Sequence, residues 1–178
     1  MFRSIIVYGV IAGLIVITPT FLYFLLAKPD MSDHSVFLGY TIMLIALSTI
    51  FVAVKGYRDN ALGGVIKFAP ALFMGLGISV VAGLIYVVGW EIYMAQTNYT
   101  FAAAYGDSMV EAARAKGASP AEIEALAAQM DEFAEQYANP LFRMPMTFVE
   151  IFPVGLIVSL ISAALLRNRS FLPARARQ

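Results

Sequence analysis

The chain contains no cysteine, which excludes disulfide staples, thiolate nucleophiles and thiolate metal ligands together. Histidine is nearly as scarce, with His34 the only one. A haem held by two histidines of one chain is thereby excluded, and a zinc site would have to be assembled mostly from carboxylates. Charge is sparse as well. Asp, Glu, Lys and Arg make up 13% of the residues and sum to a formal net charge of zero, which leaves no electrostatic basis for a nucleic-acid partner. A G-x-S-x-G elbow, a phosphate-binding glycine loop and a His-rich metal motif are also missing. No catalytic residue and no cofactor is therefore predicted, and no particular metal is indicated.

What the sequence has in abundance is apolar length. Of its 178 residues 60% are hydrophobic, and the mean hydropathy of +0.76 exceeds what a soluble domain of this size can bury. The implied solvent is a lipid bilayer. A crossing helix needs about 20 apolar residues, and four segments supply them: residues 4–27, 35–54, 68–95 and 144–166. The expected fold is all-α, a four-helix transmembrane bundle forming a single integral membrane domain over residues 1–178. Residues 96–143 are expected to form an extracytoplasmic helical hairpin between the third and fourth spans. The first apolar run resembles a secretory signal. It lacks a small-x-small cleavage site before Lys28-Pro29-Asp30, so it is expected to stay as the first span.

Lys and Arg in short flanking segments set the orientation. Arg3, Lys55, Arg58, Lys67, Arg167, Arg169, Arg175 and Arg177 fall on one side of this layout, against Lys28, Arg114, Lys116 and Arg143 on the other. Both termini are therefore expected on the cytoplasmic side of the membrane. In the insertion, a first helix is expected to continue from the third span through Tyr99 to Ala115 and to stop at Gly117. Ser119-Pro120-Ala121-Glu122 supplies an N-cap, a first-turn proline and a capping-box glutamate for a second. Along that helix Ile123, Leu126, Ala127, Met130, Phe133, Ala134 and Tyr137 recur at three- and four-residue spacing, giving an apolar face. Its partner is either the preceding helix and the membrane surface or a second protein. Asn139-Pro140 and Pro145 are expected to end the helix before the last span.

Small residues four apart mark close helix contacts in lipid. Gly9 and Gly13, then Ala71, Gly75, Ser79 and Gly83, then Gly155, Ser159 and Ala163 form such strips. They predict tight packing within the bundle, with homo-oligomerisation as the alternative. Glu91 and Glu150 are the two charged residues inside the predicted spans, and intramembrane carboxylates are functional candidates. Counted from the span ends, both fall 6 to 9 Å below the same interface at ~1.5 Å per residue. Thr18 and Thr20 around Pro19, Tyr40 and His34 reach similar levels, outlining a polar layer for a cation, a proton or a lipid headgroup. The competing reading has each carboxylate reaching the interface beside Trp90 and Tyr93. On the helical wheel Glu150 falls opposite Ser159, on the side of Ile157 and Ile161. The segment from Lys55 through Arg58 and Asp59 to Gly64 reads as a tight turn that anchors topology, with an anionic-lipid or protein contact as its sharper role.

The strings Gly39-Tyr40-Thr41-Ile42-Met43-Leu44-Ile45-Ala46-Leu47-Ser48, Tyr57-Arg58-Asp59, Leu84-Ile85-Tyr86-Val87-Val88-Gly89-Trp90-Glu91 and Phe148-Val149-Glu150-Ile151-Phe152-Pro153-Val154-Gly155-Leu156-Ile157 resemble the bacterial membrane family called domain of unknown function 4199. The likeness covers nearly the whole chain. It implies that Tyr40, Arg58, Asp59, Trp90, Glu91, Glu150 and Pro153 occupy family motif positions, and it implies no activity. The leading functional expectation is a non-enzymatic accessory or binding component of a membrane assembly, meeting a membrane or extracytoplasmic protein through the hairpin. A small transporter or channel built on the two carboxylates is the alternative. An enzyme acting on lipid is the weakest reading.

Overall fold

A computed structural model describes residues 1–27 and 36–174, without the side chains at 20, 23–27 and 36. Among these residues every regular element is a helix: α1 (Phe2–Ala27), α2 (Val36–Leu47), α3 (Thr49–Ala61), α4 (Phe68–Gln96), α5 (Phe101–Ala115), α6 (Pro120–Ala138) and α7 (Pro140–Leu166). Four apolar stretches are long enough to cross a membrane. They are α1, α2 with α3, α4 and α7.

The second span differs from expectation in its extent. Helix persists past Val54 to Ala61, so Lys55, Arg58 and Asp59 lie on a helix and the turn is confined to residues 62–67. Lys55 and Asp59, four residues apart, pair on that last turn and favour helix over a loop. At Ser48 the ladder is irregular, and both the amide and the hydroxyl of Ser48 donate to the Leu44 carbonyl, at 3.0 and 2.7 Å. Gly63 and Gly64 then take positive φ, which reverses the chain into α4 without a Cβ penalty.

α4 is the central helix. Along one side it runs parallel to α1, with Gly77 against Ile5, Gly9 against Val81, Gly13 against Ile85 and Gly89 against Ile17. Each contact lies four residues beyond the last in both helices, so one register holds throughout. Along its other side α4 meets α7 antiparallel, again at four-residue steps. Gly75 touches Ser159, Ser79 touches Gly155, and Gly83 touches Ile151 and Phe148. Ala71 and Ala163 are fully buried at the continuation of this seam. The small strips are thus spent on packing inside one chain, the arrangement that favours close approach where lipid supplies no hydrophobic driving force. Ser79 and Ser159 satisfy their hydroxyls on the carbonyls of Gly75 and Gly155, four residues back.

The third span and the next helix are separate elements. Asn98 and Tyr99 adopt positive φ, and the amides of Asn98 and Tyr99 return to the carbonyls of Ala95 and Met94. This left-handed cap stops α4 before α5 begins. Gly117 ends α5 in the same way, at φ +80°, as its position predicts. The predicted capping box of α6 is present, with Ser119 and Glu122 bonded reciprocally. Asn139 caps α7 through its side chain and Pro140 takes the first turn. Pro145 does not end a helix, contrary to expectation. It lies early in α7, where the carbonyl it leaves unbonded is that of Leu141, a residue 83% exposed.

Candidate functional site

α5 and α6 pack on each other, with Met130 over Gly106, and both rest on the end of α4. The apolar face of α6 is occupied there. Phe133, Ala134 and Tyr137 pack with Trp90, Met94, Phe101 and Ala102. The Trp90 indole N–H donates to the Tyr137 hydroxyl at 2.8 Å, and the Trp90 and Phe101 rings meet edge to face at 4.8 Å. This aromatic knot joins α4, α5 and α6, with the polar edges of its rings bonded.

Beside the knot lies an ion pair that the sequence reading did not anticipate. Arg143, only 2% exposed, donates through Nε to Glu91 Oε1 and through Nη2 to Glu91 Oε2, each at 2.7 Å. Its Nη1 donates to the backbone carbonyls of Tyr137 and Ala138, at 2.7 and 3.1 Å. One guanidinium therefore neutralises the α4 carboxylate and caps the C-terminal end of α6. The ring faces of Tyr99 and Tyr137 lie 5.1 and 5.8 Å from its Cζ. Glu91 is bonded to Arg143, where the sequence reading placed Trp90 and Tyr93 beside it.

Glu150 has a different environment. It lies seven residues beyond Arg143 on α7, about 10 Å further along the axis, so the two carboxylates do not share a depth as expected. The predicted level assumed a span beginning at Met144, whereas α7 begins at Pro140 and Glu91 is level with Arg143. Glu150 is exposed on the side of the bundle, among Val149, Ile157 and Ile161, and opposite the buried Ser159. Its hydrogen-bond donor is the Tyr86 hydroxyl at 3.3 Å. Tyr40 is exposed on α2. Thr18 is exposed on α1. Thr20 and His34, also expected in this layer, lie outside the described side chains, as do Lys28, Arg175 and Arg177.

At the opposite end of α7 a second buried arginine repeats the arrangement. Arg58, fully buried, pairs through Nε with Asp59 at 2.7 Å and donates to the carbonyls of Leu166, Phe171 and Leu172. It caps α7 and folds the following segment back on α3, where Phe171 meets Phe51 edge to face. From Arg143 to Leu166 α7 rises about 35 Å, slightly more than the ~30 Å hydrocarbon thickness. The two arginines thus bracket a membrane-length interval. Between them the seam is filled by Ile151, Ile78, Met74 and the bonded serines.

The family model described as "Protein of unknown function (DUF4199)" matches residues 7–168. The chain belongs to that family. No curated protein and no solved structure matches it. The matched interval contains all seven helices apart from the first residues of α1. Every motif residue assigned from the resemblance falls within it. In this DUF4199 chain those residues divide into two kinds. Arg58, Asp59, Trp90 and Glu91 are bonded in the interior of the chain, whereas Tyr40, Pro153 and Glu150, the last bonded to Tyr86, are exposed on its sides.

Proposed function

We propose that this protein is a non-enzymatic component of a membrane assembly, joined to a neighbouring transmembrane helix through the Glu150 face of α7. The carrying observation is the contrast among carboxylates in the described spans. Asp59 and Glu91 each have an arginine, while Glu150 has a neutral phenol and points outward. A carboxylate facing lipid at this depth is costly. A helix presenting Lys, Arg, Asn or Gln at the matching depth removes that cost and gains a hydrogen bond in a medium without water.

In this reading the four spans form a scaffold, and the α5–α6 pair stands outside the membrane on the extracytoplasmic side. The basic residues at the other end, Arg3, Lys67, Arg167 and Arg169 among them, support a cytoplasmic location for both termini. A bacterial inner membrane is the compartment that fits this arrangement. Within the helical pair the knot already occupies Phe133, Ala134 and Tyr137 of the α6 apolar face, so this reading puts the partner contact on the Glu150 face of α7. The transport reading is weaker because close Ser79–Gly155 and Gly75–Ser159 contacts fill the α4–α7 seam below Glu150.

The test is purification from native membranes in mild detergent at endogenous expression, comparing wild type with Glu150→Ala, Glu150→Gln and Glu91→Gln. A stoichiometric protein partner is expected with wild type, lost with Glu150→Ala and partly kept with Glu150→Gln. A lone protein, with Glu150-dependent cation flux in proteoliposomes, supports the transport reading instead.

A further inference from the structure

The two buried arginines are saturated with acceptors, but three other cations are not. Lys67 at the start of α4 and Arg167 and Arg169 just beyond α7 line one open recess, together with Phe68 and Asn168. The recess is about 630 Å³. Among the described residues none of the three cations forms an ion pair, and no carboxylate lines the recess. Asp59, the acid of α3, is already shared between Lys55 and Arg58. The carbonyl end of α7 does not supply the missing negative charge either, because Arg58 donates to the Leu166 carbonyl. Three positive charges from two distant parts of the sequence are therefore held together, with no counter-charge among the described residues, where α4 starts and α7 ends.

We infer that this recess binds the phosphate of an anionic phospholipid headgroup. The chemistry follows from what lines it. Arg167 and Arg169 offer forked N–H donors suited to phosphate oxygens, and Lys67 adds a compact charge. Phe68 and Val65 provide an apolar edge where the acyl chains leave toward the bilayer. The bracket formed by Arg58 and Arg143 puts the recess at the headgroup level. The backbone adds to this without carrying it: α4 has no side-chain cap, and its first residue, Phe68, lies at the recess, where the helix start contributes positive partial charge. Basic pockets between helices at this level are suited to anionic lipid. The same phosphate chemistry is available from free phosphate, and the test separates the two sources.

The experiment reconstitutes the full chain in phosphatidylcholine nanodiscs doped with phosphatidylglycerol and counts retained lipid by native mass spectrometry. Each cation near a charged surface is worth about fivefold in affinity. Removing one is therefore expected to weaken phosphatidylglycerol retention about fivefold, and the triple change Lys67→Gln, Arg167→Gln, Arg169→Gln to weaken it about 100-fold. All three side chains are exposed, so thermal stability without added lipid should stay at the wild-type value. The charge-keeping triple Lys67→Arg, Arg167→Lys, Arg169→Lys should retain lipid. Competition by inorganic phosphate at equal concentration identifies free phosphate as the source while keeping the site. Retention by the neutral triple equal to wild type overturns the inference. So does an equal loss from the control pair Arg114→Gln, Lys116→Gln at the other end.

Discussion

Arg143 and Glu91 meet one further four-residue interval along the seam by which α7 packs on α4. Gly155 on Ser79 and Ile151 on Gly83 are earlier steps of that register, and the buried Thr147 and Val87 fill the step before the ion pair. Packing of small residues thus delivers a cation to a carboxylate. The pair then fixes where α6 ends, because the same guanidinium holds the Tyr137 and Ala138 carbonyls.

Removing the arginine should therefore destabilise two junctions at once. Arg143→Ala leaves a carboxylate without its partner and two helix-end carbonyls without a donor, and is expected to cost about 3 kcal/mol. Arg143→Lys should recover less than half, since an ammonium cannot reproduce the fork. Thermal unfolding in detergent checks both, with the double change Arg143→Met, Glu91→Leu expected to lie nearer wild type than Arg143→Ala.

The glycines on the seam should be far less tolerant than those off it. A Cβ at Gly155 would collide with Ser79, and one at Gly75 would come within 2.6 Å of Ser159 Oγ. Gly155→Leu and Gly75→Leu are expected to cost at least about 2 kcal/mol through overpacking. Gly56, on α3 with open space around it, should gain about 0.5–1 kcal/mol on replacement by Ala. Unfolding temperatures of the three variants make the comparison.

Much of this arrangement was legible beforehand. Four apolar lengths, the strips at Gly75 and Gly155, the Gly117 stop and the Ser119–Glu122 box follow from local chemistry, which a sequence displays directly. Arg143 was not legible, because a cation near an interface reads first as an orientation signal. Its partner depends on the register between helices that are distant in sequence. A signal was present nonetheless: the four-residue spacing of Gly75, Ser79 and Gly83 extends to Glu91, and that of Ser159 and Gly155 extends back to Arg143. The helix through Lys55 and Asp59 was missed for a related reason. Turn-forming residues at 56, 59 and 60 outweighed an i,i+4 pair, and the fold resolves that contest in favour of the pair.

Arg58 should hold the segment after α7. It donates to the Asp59 carboxylate and to the carbonyls of Leu166, Phe171 and Leu172, four acceptors against the three donors of a lysine. Arg58→Lys is expected to raise hydrogen exchange over residues 167–174 by at least about tenfold, with α5 and α6 unchanged.

The start of α6 should loosen in acid. The Ser119 backbone amide and hydroxyl donate to the Glu122 carboxylate and hold its pKa below the ordinary glutamate value. A depressed folded pKa means the stabilisation is complete above the unfolded value and is lost as pH falls through the folded one. Protection of the Ser119 amide, its exchange taken relative to the intrinsic rate at each pH, should therefore fall as the pH drops through that window, and Glu122→Gln should flatten the dependence. An unchanged profile in the variant would show that the box does not govern this end.

Glu150 carries the central claim, and the most direct measurement is photo-cross-linking in native membranes from a benzophenone amino acid at Val149. The account predicts a heterologous protein adduct from Val149. That adduct should fall at least about tenfold in Glu150→Ala, remain in Glu150→Gln, and be absent from the same probe at Leu84, which is exposed on α4. An adduct of equal yield with and without the carboxylate, one whose mass is two copies of this chain, or no protein adduct at all would contradict it.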